Sequence, residues 1–149
     1  MLINRQRRVP IARQPLESFL GRVRAKLHLD GSEITVCLVS DSSMARLNRT
    51  YRGKAGPTDV LSFPAKGGAN RRRAHFALPD ASSASYLGDI AISPETARRN
   101  AGRFGRTLPQ ELRILILHGV LHLLGYDHET DGGRMNRVEH RLRAELGLR

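Results

Sequence analysis

The sequence predicts an α+β domain in which a small sheet is covered by helices. Three observations carry this. Three short runs rich in β-branched residues, Glu33 to Ser40, Thr58 to Phe63 and Tyr86 to Ser93, read as strands. Other segments repeat apolar residues at helical spacing or open with helix caps. The two kinds fall in blocks. At 149 residues the chain has room for one core and is too short for two ordinary ones.

Leu16 to Leu27 reads as an amphipathic helix, with Leu16, Phe19, Leu20, Val23 and Leu27 on one side. Asp30-Gly31-Ser32 is a turn before the Glu33–Ser40 strand. Asp41-Ser42-Ser43 is expected to cap a helix to about Tyr51, with Met44 and Leu47 inward. Tyr51 to Pro57 carries two glycines and a proline and reads as a loop. Lys66 to Ser85, with its Arg71-Arg72-Arg73 run, reads as an exposed loop inside a hairpin connection. Ser93 and Pro94 suit the N-cap and first turn of a helix bearing Arg98, Arg99 and Arg103. Thr107 and Gln110 have capping-box spacing for a helix reaching Gly125, a fitting C′ glycine. A last helix spans about Gly133 to Leu146, with Met135, Val138, Leu142 and Leu146 inward.

Composition narrows the class. The longest apolar run, Ile114 to Leu124, is broken by His118 and His122 and is too short for a bilayer span. The N-terminal stretch has arginines but no continuous apolar segment, so no secretory signal is expected, and a cytoplasmic location is the default. A single cysteine, Cys37, excludes an intrachain disulfide and a cysteine zinc cluster. Net charge is +11, and 22 of the 25 basic residues are arginine. The arginine fork matches phosphate, so a polyanionic partner is expected.

The informative segment is HGVLHLLGYDH, His118 to His128. Histidines four apart share one helix face, one turn above the other. Gly125 allows the helix to end and the chain to turn back through Tyr126-Asp127, bringing His128 toward the same point. Three imidazoles at about 2.0–2.1 Å with an open fourth position describe a catalytic zinc site. The bland reading is a pair of satisfied core histidines, but buried imidazoles need partners and the neighbouring sequence offers few. The spacing is also that of the metzincin peptidases, H-E-x-x-H-x-x-G-x-x-H. Gly119 stands where those enzymes carry the glutamate general base, which disfavours a metallopeptidase.

HGVLHLLGYDHE (His118 to Glu129), YRGKAGPTDVLSFP (Tyr51 to Pro64) and LGDIAIS (Leu87 to Ser93) closely resemble the YbeY family of bacterial endoribonucleases, also called rRNA maturation factors. The resemblance spans Glu33 to Leu148, and the segment with Met135 and Glu139 is also similar. It implies one domain over residues 1–149, with a small mixed four-stranded sheet covered by about five helices and a zinc site on the helix carrying HxxxH. It implies Zn2+ held by His118, His122 and His128, and Arg52 active beside His118. The implied activity is metal-dependent cleavage of single-stranded RNA, in maturation of the 16S rRNA 3′ end and in ribosome quality control. The implied partners are the small ribosomal subunit and an Era-type GTPase. Two features depart from the pattern: Ala55 replaces a frequently acidic residue, and the loop from Lys66 to Ser85 has no mapped counterpart.

Three neutral imidazoles leave the charge of a zinc ion uncancelled, which favours an anionic substrate. Arg52 suits a bidentate hold on the scissile phosphate, whereas without the resemblance it reads as a solvated loop charge. Asp127 either orients a metal ligand or caps the turn. Arg71, Arg72 and Arg73 read as a solvated face or as RNA contacts. Cys37 is expected in the core, His28 and His140 on helix surfaces, and His75 in the basic loop. Thr58, Asp59 and Ser62 are explained as well by strand-start hydrogen bonding as by function. A non-catalytic rRNA-binding assembly factor with a structural metal is the alternative of another class.

Overall fold

The computed structural model describes residues 1–65, 86–127 and 129–148. Among them the elements run β1 (Leu2–Asn4), α1 (Arg13–Lys26), β2 (Glu33–Leu38), α2 (Asp41–Arg52), β3 (Val60–Pro64), β4 (Tyr86–Ile92), α3 (Pro94–Arg103), α4 (Leu108–Leu123) and α5 (Arg134–Glu145). The sheet is four-stranded in the order β1-β2-β4-β3. β1 and β2 are parallel, β2 and β4 are parallel, and β3 runs antiparallel to β4. The expected mixed sheet and five helices are therefore present.

Interior β4 is covered on both faces and reads as a continuous apolar run, Ile90-Ala91-Ile92, fully buried. One face of the sheet packs Ile34, Val36, Leu38, Ile90 and Ile92 against α1, α4 and α5. The other packs Cys37, Val39, Leu61, Phe63 and Ala91 against Met44, Leu47 and Tyr51 of α2. Cys37 lies in that second core, as expected, and burial pushes its thiol up to about 11.

α4 is apolar nearly all round because it is buried nearly all round. Its N-terminus carries the expected capping box, with Thr107 and Gln110 exchanging side-chain and backbone hydrogen bonds. Gly125 follows the last turn at φ +98. At its middle α4 approaches the sheet so closely that a Cβ on Gly119 would sit 2.8 Å from Ile90 Cγ2.

The structure corrects several details. β1 does not stand out in the sequence; three residues are too few to show a period of two, and its edge pairing is completed by the N-terminal ammonium donating to the Ile34 carbonyl. α1 begins at Arg13, not Leu16, because Ala12 provides no side-chain cap to mark the start. Ser40, not Asp41 to Ser43, caps α2, accepting from the Ser43 amide. β3 begins at Val60 rather than Thr58. His28 is not on a helix. It sits just past α1 at φ +59, where the Leu29 and His28 amides close a Schellman turn onto the Arg24 and Ala25 carbonyls. His140 is exposed on α5 as expected. The loop from Lys66 to Ser85, with Arg71, Arg72, Arg73 and His75, lies outside the described residues.

Candidate active site

The helical spacing of His118 and His122 puts both rings on one flank of α4, with centroids 4.7 Å apart. Their Nε2 atoms approach to 3.2 Å. Two nitrogens bound at about 2.0–2.1 Å to one tetrahedral ion would be separated by about 3.3 Å. The observed separation is close to that value.

The neighbouring sequence offers His118 few polar partners, and one of its partners comes from another element. Glu139 of α5 lies 2.8 Å from His118 Nδ1 through Oε1. Its other oxygen, Oε2, accepts from Arg143 Nη2 at 2.8 Å. Glu139 is only 7% exposed. Burial is the largest influence on its carboxyl and would raise it. The contact with His118, and then Arg143, outweigh burial and hold the group below the usual glutamate range. An ionised carboxylate only accepts, so Nδ1 of His118 carries the proton. In the neutral ring the Nε2 lone pair then faces His122. This is the carboxylate–histidine arrangement that fixes the tautomer and orientation of metal-ligating histidines.

Both histidines line a cavity of about 470 Å³ between α4 and β3. Arg52, the last residue of α2, lines it too, as do Asp127 and Glu129, which flank position 128 in sequence. Asp127 Oδ1 accepts from the Glu129 amide at 3.0 Å, a hydrogen bond of the turn-capping kind. Thr58, Asp59 and Ser62 also line the cavity, each with a structural contact. Asp59 Oδ2 accepts from Asn100 Nδ2 at 3.2 Å, and Ser62 Oγ donates to the Gly119 carbonyl at 3.1 Å. The structure therefore brings together Arg52, His118, His122 and Asp127. His128 lies outside the described residues, and among those no three potential ligands are arranged to hold a metal.

The structure also explains Gly119. Its missing side chain points at Ile90, where a peptidase glutamate has no room. Sequence reasoning gave Glu139 no role, because it lies 21 residues from its partner and on a different helix. The one available signal was an acidic residue at an inward position of the last helix, in register with Met135 and Leu142.

Residues 2–147 match the family described as Endoribonuclease YbeY. The chain belongs to this family. A YbeY endoribonuclease of Solibacter usitatus is 44% identical over 144 residues, covering 95% of this chain and 86% of that protein. One from Moorella thermoacetica is 39% identical over 152 residues, covering 98% and 96%. The solution structure of TM1509 from Thermotoga maritima is similar in fold, with a TM-score of 0.60 and 27% identity, covering 98% of this chain and 89% of that one. The family resemblance read from three short motifs thus extends over nearly the whole YbeY-type chain. Among the described residues no helix is long and apolar enough to cross a membrane.

Proposed function

We propose that this chain is a zinc-dependent endoribonuclease that cleaves single-stranded RNA, acting on the 3′ end of 16S rRNA and in ribosome quality control. The observation that carries the reading is the 3.2 Å approach of the two Nε2 atoms, backed by buried Glu139 and sharing one cavity with Arg52. His118 and His122, with His128 as the third donor, would hold the ion. When bound, it supplies Lewis acidity toward a phosphoryl group.

The remaining work falls to side chains of this chain. Arg52 offers a planar fork that grips a phosphate through two parallel hydrogen bonds and matches charge growing on its oxygens. Glu139 holds the His118 proton on Nδ1, so the ring presents the same nitrogen throughout. Asp127 fixes the turn beside the cavity. The net charge of +11 draws the polyanion in. The small ribosomal subunit and an Era-type GTPase are the partners this reading assigns, with the cytoplasm as its location.

The test is a zinc analysis paired with cleavage of a single-stranded RNA by wild type, His118→Ala and Arg52→Ala. The reading expects His118→Ala to lose both zinc and cleavage, and Arg52→Ala to keep zinc and lose cleavage. Full cleavage by His118→Ala in chelator would overturn it. Cleavage undiminished in Arg52→Ala would leave the arginine a surface charge. A chain that holds zinc and RNA but cleaves nothing would be the assembly factor instead.

A further inference from the structure

Arg46, Arg49 and Arg52 recur every third residue along α2. At 3.6 residues per turn each such step falls about 60° short of a full circle, so the row winds diagonally around the helix. Met44 and Asn48 are buried on the inner side, and Arg46, Arg49 and Arg52 are exposed. The row therefore crosses the open side of α2 from one flank to the other, climbing about 9 Å. At one end Arg52 lines the cavity of His118 and His122. At the other, Arg46 lines a second cavity of about 280 Å³ with Arg5 and Ser43, above Val39, Leu47 and Tyr51.

Several other arginines are paired with carboxylates: Arg99 with Asp41, Arg106 with Glu111, and Arg143 with Glu139. Arg46, Arg49 and Arg52 have no carboxylate partner among the described residues. Arg46 Nη2 instead donates to Ser43 Oγ at 3.1 Å, which steadies it at the mouth of the second cavity. Among the described residues no acidic side chain lines that cavity. Two guanidinium groups and a hydroxyl above an apolar floor that includes an aromatic ring suit one nucleotide, phosphate outward and base inward.

We infer that the second cavity is a nucleotide subsite, and that the Arg46–Arg49–Arg52 ridge carries one RNA strand between it and the cleavage site. This rests on the single-strand cleavage reading above and extends it. The subsite sets how long a substrate must be to bind well.

The test measures binding of a long and a short labelled single-stranded RNA to the full chain in chelator, and cleavage of both with zinc. Arg46→Ala/Arg49→Ala should weaken binding of the long RNA about tenfold and reduce the slope of log K against log salt by about 1.4, for two lost phosphate contacts. Arg5→Ala should weaken it about threefold. In cleavage, KM for the long RNA should rise more than kcat falls, and the short RNA should be affected less. Arg137→Ala/Arg141→Ala, which removes the same charge from exposed positions on α5, is the control and should change binding less than twofold. Thermal unfolding checks each variant, and Gln in place of Ala serves if the α2 pair loses its fold. Wild-type binding by the α2 variant, or an equal loss in the α5 control, would overturn the ridge. Wild-type protein that binds RNA but fails to cleave it would overturn the cleavage reading, with the ridge still decided by the binding series.

Discussion

α4 and α2 reach the same cavity by opposite means. α4 is encased in apolar side chains, and its His118 is pinned by a buried carboxylate that is itself held by an arginine. α2 buries only its inner side and presents arginines to solvent. The difference fits the roles proposed for each. A metal ligand must sit within a few tenths of an ångström, which requires rigid packing and a second layer of hydrogen bonds. A phosphate-gripping arginine must follow a flexible strand, which a solvated side chain does at little energetic cost.

The largest expected effect breaks the rigid side. Gly119→Glu forces a charged side chain into Ile90 and should destabilise the fold by at least about 3 kcal/mol, with no gain of peptidase activity. Thermal unfolding and a casein digest check both points; a stable variant would show that α4 tolerates displacement. Arg52→Ala should lower kcat by about 10²–10³-fold while leaving the unfolding midpoint in place. A matching loss of stability would mean that α2 is part of the rigid side after all. Glu139→Gln should weaken zinc binding by about 10–100-fold, read by chelator competition, because the charge that fixes the His118 tautomer is gone.

Smaller effects sharpen the contrast. Asp41 joins α2 to α3 by accepting from Ser93, Thr96 and Arg99. Burial is the largest influence on its carboxyl and would raise it, but these three contacts together hold it below its usual value of 3.8. A lowered carboxyl contributes stability that is complete above the unfolded-state value and is lost as pH falls through the folded one. Asp41→Asn should therefore cost about 1 kcal/mol at neutral pH and flatten the loss of stability below about pH 4. Equal acid sensitivity in wild type and variant would remove Asp41 from the helix junction. Last, the Cys37 thiol, pushed up to about 11 and buried under α2, should react with a thiol reagent at pH 8 only as fast as the chain opens. Rapid labelling of the native chain would show α2 to be loosely seated.

What the sequence revealed divides along the same line. The His118–His122 spacing is set by the helix itself, so it was visible without coordinates. The capping box at Thr107 and the glycine at 125 are equally local, and they bounded α4 correctly. The pairing of Glu139 with His118 depends on how α5 packs against α4, which no local pattern encodes. β1 was hidden for a related reason: its three residues become a strand only by pairing with β2. The direction of the Gly119 face was also tertiary. The sequence showed that a glutamate was missing, and only the packing on Ile90 shows that none would fit.

The central claim is that His118 and His122 share one ion and that cleavage depends on it. Its most direct test is a calorimetric zinc titration of wild type and His122→Ala, run beside cleavage of the same single-stranded RNA. Wild type should bind one ion per chain, and His122→Ala should lose tight binding and cleavage together. Stoichiometric binding with undiminished cleavage in His122→Ala would contradict the account.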